Sequence, residues 1–179
     1  MKILLSGILF FTILFTVHTN SHASVSVETS DKMMKTSQVH VKSPSFSLSS
    51  LNGKTYSTSD VSGPIVINFW ASWCSPCKIE APELVKLYDK YGGKVQIYAV
   101  NITSNDSKAA AQRFAELYGF KFPVLLDVND TVSQKYKILA IPTTFFINKE
   151  GVIVDQIVGF GGEKILKEKF KKLAEDYDN

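Results

Sequence analysis

Cys74 and Cys77 are the only cysteines in the chain of 179 residues, and they stand two residues apart in "NFWASWCSPCKIEAPEL". Such a pair can staple a fold, hold a metal or exchange disulfides. A bridge across this spacing closes a short ring and contributes about 2 kcal/mol in the chain-entropy picture, less than a long-loop bridge. A chain of this size with 45% hydrophobic residues does not need it to build a core. Tetrahedral zinc takes four ligands and usually joins one such motif to a second Cys/His pair. The only histidines are His18, His22 and His40, all close to the N-terminus, so no metal is expected. Redox exchange remains, and it needs one of the sulfurs as a thiolate.

The flanking pattern favours a thiolate. "PIVINFW" (Pro64–Trp70) is a continuous apolar run rich in β-branched residues, which suits a strand buried on both faces. After the cysteines, Leu84, Leu87, Tyr88 and Tyr91 recur at helical spacing, and Gly92-Gly93 closes the helix. The pair therefore falls in or near the first turn of a helix, where free N–H groups and the positive end of the helix dipole stabilise an anion. Pro76 fits that turn, where its missing N–H costs nothing. This placement predicts Cys74 as an exposed attacker with a lowered pKa and Cys77, one turn deeper, as the resolving thiol.

Glu80 lies three residues beyond Cys77, on the same helix face. Two readings stand for it: a desolvated carboxyl of raised pKa that takes the Cys77 proton, or a solvated acid of no chemical consequence. Lys78 reads as solvent-facing charge. Pro82 sits inside the helix, deprives the Lys78 carbonyl of its usual partner and predicts a kink. Trp70 and Trp73 both fit core packing, and Trp73, next to Cys74, is also placed to touch a substrate.

Around this segment the chain alternates strands and helices. "FSLSSLNGKTYSTSDV" sets an Asn52-Gly53 turn between two short strands. "VQIYAVNI" (Val95–Ile102) is a second buried strand, and strand–helix–strand predicts a parallel pair. Ser107 to Tyr118 reads as a helix with polar caps before it and Gly119 after it. "FPVLLD" is a short strand and "TVSQKYKI" a short helix. "TTFFIN" and "VIVDQIV" flank "KEG" as an antiparallel hairpin, and Glu163 to Tyr177 is an amphipathic helix. The fold class is α/β: a mixed central sheet with helices on both faces.

The N-terminus reads as an export or anchoring segment. Lys2 precedes an uncharged run, Ile3 to Val17, shorter than a bilayer span of roughly 20 residues. Ser21–Ala23 offers small residues for cleavage, and a retained anchor is the alternative. Residues 1–23 are thus a signal peptide or membrane anchor, 24–42 a Ser/Thr-rich tether and 43–179 the folded domain. That places the domain outside the cytoplasm, where disulfides persist. A net charge of +3 from 20 basic and 17 acidic residues, scattered along the chain, gives no nucleic-acid footprint.

"NFWASWCSPCKIEAPEL" resembles the active-site segment of the thioredoxin family, and "AIPTTFFINKEG" (Ala140–Gly151) resembles its second signature. The resemblance implies a thioredoxin-like fold and a cis Ile141-Pro142 peptide facing the cysteines. It also implies a substrate-binding rim from Trp73, Pro76, Ile141, Pro142 and Thr143. The N-terminal β-hairpin and a central helix–strand insertion, Ser107 to Leu126, resemble membrane-tethered extracytoplasmic thiol reductases of the ResA, StoA and TlpA type. In that group a Glu follows the second cysteine by three, as Glu80 does here. Ordinary thioredoxin has a buried Asp where this chain has Asn68, which cannot titrate, so the proton role shifts to Glu80. The implied activity is reduction of protein disulfides through the Cys74–Cys77 dithiol with no other cofactor. An integral membrane thiol carrier of the CcdA or DsbD type would supply electrons. Implied substrates are the CxxCH disulfides of apocytochromes c or disulfides in envelope and spore-coat assembly. A disulfide oxidase or isomerase of the same fold, and a non-catalytic binding module, are the alternatives. A peroxiredoxin-type peroxidase is disfavoured because Ile67 stands where its proline is required.

Overall fold

The structure is a computed structural model and describes residues 41–177. The leader or anchor over 1–23 and most of the tether lie outside the described residues, as do the three histidines. The strands are β1 (Val41–Lys42), β2 (Ser47–Ser49), β3 (Thr55–Ser57), β4 (Ile65–Trp70), β5 (Gln96–Asn101), β6 (Val124–Leu126), β7 (Thr143–Ile147) and β8 (Val152–Val158). The helices are α1 (Ser75–Tyr91), α2 (Lys108–Tyr118), α3 (Thr131–Lys135) and α4 (Glu163–Tyr177). β1 occupies the last two residues read as tether, where Val41 pairs with Ile153 and Lys42 with Val152.

Six strands form one sheet in the order β1-β8-β7-β4-β5-β6. β4, β5 and β6 run parallel, while β7 pairs antiparallel with both β4 and β8. β2 and β3 form a separate hairpin. Its turn is longer than the Asn52-Gly53 pair alone: Gly53 N–H bonds the Ser50 carbonyl at 3.0 Å and Gly53 takes φ +81°, which glycine adopts without a Cβ clash. Ser50 also bridges to Leu125, so the hairpin covers the β6 edge.

Every residue of β4 is buried, as its unbroken apolar sequence requires. Its side chains alternate between two cores. Val66 and Trp70 join the cluster built with α1, α2 and α4, while Ile65, Ile67 and Phe69 join the one built with Phe46, Val132 and Tyr136. Helices thus lie on both faces, but only short α3 shares the second face with the hairpin. α2 starts where its cap signals place it: Ser107 Oγ accepts the Ala110 N–H at 3.1 Å, and Gly119 ends the helix at φ +70°.

Candidate active site

β4 ends at Trp70, and a three-residue loop leads to Cys74, the N-cap of α1. Cys74 and Cys77 are joined in a disulfide. The Cys77 N–H donates to Cys74 Sγ at 3.2 Å, so a free donor of the helix start is aimed at that sulfur. Ser75 and Pro76 occupy the exposed first turn. Across from them the Ile141–Pro142 peptide is cis, and the Ile141 carbonyl oxygen lies 3.7 Å from Cys74 Sγ. The Thr143 hydroxyl donates to the Ala140 carbonyl at 2.7 Å and Gly159 N–H to the Pro142 carbonyl at 2.7 Å, bracing that turn from both sides.

One expectation fails. A place at the helix start predicts an exposed Cys74, yet it is 3% exposed, no more than Cys77 at 3%. The oxidised pair packs into the apolar cluster of Trp70, Ala71 and Ala81, with Ile141 against it. Helix position alone did not reveal that a distant turn covers the sulfur. What distinguishes the two cysteines in this state is the N–H bond received by Cys74.

Glu80 resolves in favour of the buried reading. It is 1% exposed in the second turn of α1. Asn68 on β4 and Thr144 on β7 are register partners, so their side chains leave the sheet on one face, toward α1. Asn68 Nδ2 donates to Glu80 Oε2 at 2.8 Å and to Thr144 Oγ1 at 2.8 Å, and the Thr144 hydroxyl donates to Glu80 Oε1 at 3.3 Å. Burial pushes the carboxyl from an ordinary 4.5 up to about 7, against the opposing pull of the Asn68 and Thr144 donors.

The two tryptophans part company. Trp70 is core, 1% exposed and packed on Phe114 and Phe120. Trp73 is 59% exposed, and its Nε1 donates to the Asn105 carbonyl at 2.8 Å. Lys78 and Pro82 face solvent. Ile67 is a buried strand residue between Tyr98 and Phe145, not a proline-shaped turn. Sequence reasoning missed Thr144, a strand position inside a signature, and Asp106, which accepts hydrogen bonds from Ser72. Among the described residues no group of three or more His, Cys, Asp or Glu is placed to hold a metal ion. No described helix is long and apolar enough to cross a membrane.

Residues 39–156 match the AhpC/TSA family. The chain belongs to the AhpC/TSA family. The thioredoxin-like protein YneN of Bacillus subtilis is 37% identical over 130 residues, 72% of this chain and 76% of YneN. The thiol-disulfide oxidoreductase ResA of Bacillus subtilis is 39% identical over 125 residues, 69% of each chain. The crystal structure of StoA from Bacillus subtilis matches with a TM-score of 0.63 at 28% identity, over 70% of this chain and 96% of StoA. This AhpC/TSA chain is a thiol-disulfide oxidoreductase with a thioredoxin-like fold, and its redox pair is spaced and placed for that exchange.

Proposed function

We propose that the protein works outside the cytoplasm as a reductant of protein disulfides, with Cys74 as the attacking sulfur. The Cys74 thiolate attacks one sulfur of a substrate disulfide, forming a mixed disulfide and releasing the other substrate sulfur as a thiolate that takes a proton from water. Glu80 then accepts the proton of Cys77. The resulting thiolate attacks Cys74 Sγ, releases the second substrate sulfur, and leaves Cys74–Cys77 oxidised. Two electrons have passed to the substrate, and a membrane thiol carrier of the CcdA or DsbD type returns them. Trp73, Pro76, Ile141, Pro142 and Thr143 form the rim that receives the substrate, for which oxidised CxxCH motifs of apocytochromes c or envelope and spore-coat disulfides are the proposed class. The N-terminal segment holds the domain at the membrane surface or directs its export.

The observation that carries this reading is Glu80: a carboxyl with a pKa about 7, buried on the cysteine-bearing helix, is half ionised at neutral pH and is suited to take a thiol proton. Two measurements test it. A reduction potential near thioredoxin's, about −270 mV, fits a reductant, and one near DsbA's, about −120 mV, points to an oxidase. Cys77→Ser must accumulate a mixed disulfide through Cys74 with disulfide substrates in vivo. Absence of that adduct removes Cys74 as the attacker.

A further inference from the structure

The loop that delivers Cys74 to its helix is tied to the short segment between β5 and α2. Ser72 N–H donates to Asp106 Oδ2 at 2.6 Å, and the Ser72 hydroxyl donates to Oδ1 at 2.7 Å. The next residue is held as well, since Trp73 Nε1 donates to the Asn105 carbonyl. Asp106 is itself fixed in place. Asn101 Nδ2 donates to Oδ2 at 2.9 Å and Ser107 N–H to Oδ1 at 2.8 Å. Asn101 is fully buried at the end of β5, and the Thr103 hydroxyl donates to its side-chain oxygen at 2.9 Å. Burial alone would raise the Asp106 pKa, but the donors from Ser72, Asn101 and Ser107 hold it below the usual carboxylate range.

The loop's own backbone gives little restraint. Cys74 N–H reaches the Ala71 carbonyl at 3.2 Å, at the long end of the hydrogen-bond range. The two charge-assisted bonds to Ser72 are shorter and fix both its backbone and its side chain. Two residues later the chain must place Cys74 Sγ under the Cys77 N–H.

We infer that Asp106 is a positioning residue for thiol–disulfide exchange, acting through Ser72 to set the approach of Cys74 to the start of α1. The inference rests on Cys74 being the attacking sulfur. Its physical content is orientation: a reacting atom displaced by about 1 Å can lose on the order of a hundredfold in rate, and a loosened loop loses less. The two acceptor oxygens of the Asp106 carboxylate, each taking two donors, carry the effect.

The test is single-turnover reduction of a disulfide peptide by the reduced full chain, with the saturating rate and the half-saturating concentration measured separately. Asp106→Ala should lower the saturating rate about tenfold and move the half-saturating concentration less than about twofold. Asp106→Asn keeps one oxygen for the Ser72 N–H but turns an NH2 toward the Ser107 N–H, so it should recover only part of the loss. Ser72→Ala, which retains the backbone bond, should show a smaller loss of the same kind. If Asp106→Ala does not fold, Ser72→Ala and Asp106→Asn decide. Saturating rates at the wild-type value in the folded variants overturn the inference, as does a change confined to the half-saturating concentration. If the wild-type chain itself fails to reduce the peptide, the parent reading falls instead.

Discussion

The two faces of the central sheet each bury a titratable group, and they treat it in opposite ways. On the α1 face Glu80 is enclosed with Asn68 and Thr144 as its hydrogen-bond partners among the described residues, and its pKa rises to about 7. On the other face Tyr136 is buried among Phe46, Phe69 and Phe145, and its pKa rises to about 12 through burial, partly offset by Ser43. The Tyr136 hydroxyl donates to the Pro44 carbonyl at 2.8 Å and pairs with the Ser43 hydroxyl at 2.7 Å. A phenol pushed upward stays neutral across the physiological range, so that face is inert packing. A carboxyl pushed upward by the same physical cause arrives where protons are exchanged. Desolvation is common to both; the ordinary pKa of the group decides whether the result is structure or chemistry.

The sharpest way to break this contrast is to remove one essential group from each face. Cys74→Ser should abolish disulfide reduction altogether while leaving the fold intact, because the sulfur supplies about 2 kcal/mol at most as a staple. Phe69→Ala should do the reverse. Phe69 is 0% exposed and packs on Tyr136 and Phe145, so its truncation should cost about 3–5 kcal/mol in denaturant unfolding. Exchange activity per folded molecule should be unchanged. Reduction activity in Cys74→Ser, or loss of exchange in folded Phe69→Ala, would show that the two faces are not separable.

What the sequence revealed follows the same division between local and distant causes. The strand–helix junction at the cysteines, the Ser107 cap and the Gly119 stop are local patterns, and they lie where the periodicity and cap chemistry put them. Asn68 was visible as a departure from the thioredoxin pattern, but its bond to Thr144 joins residues 76 apart in sequence. The Ser72–Asp106 tie spans 34 residues. Such contacts are created by strand order and register, which no window of hydrophobic spacing encodes. The exposure that helix position predicts for Cys74 fails for the same reason. The turn that covers it arrives from residue 141, beyond two intervening strands and three α-helices.

A smaller effect is read in the pH dependence of stability. The Glu80 pKa is raised on folding, from 4.5 to about 7, so the folded state binds the extra proton over that window. Stability from this group is fully present below about pH 4.5 and is lost as pH rises toward 7, by roughly 3 kcal/mol in total. Glu80→Gln should flatten the unfolding free energy of the oxidised protein between those limits. It should also remove the inflection near neutrality from the rate of the resolving step. A profile unchanged by the substitution would place the carboxyl in solvent.

The mildest change separates the two partners of that carboxyl. Asn68 donates at 2.8 Å and Thr144 at 3.3 Å, so the amide stabilises the carboxylate more strongly than the hydroxyl. Thr144→Val keeps the side-chain shape and removes the weaker donor to Glu80, along with the acceptor of one Asn68 N–H. The Glu80 inflection should move upward slightly, because one bond to the charged form is gone. Asn68→Leu should move it further in the same direction, since it removes the shorter bond and adds apolar surface. The order of the two shifts is the informative quantity. A larger shift in Thr144→Val than in Asn68→Leu would make the β7 hydroxyl, rather than the β4 amide, the group that tunes the proton acceptor.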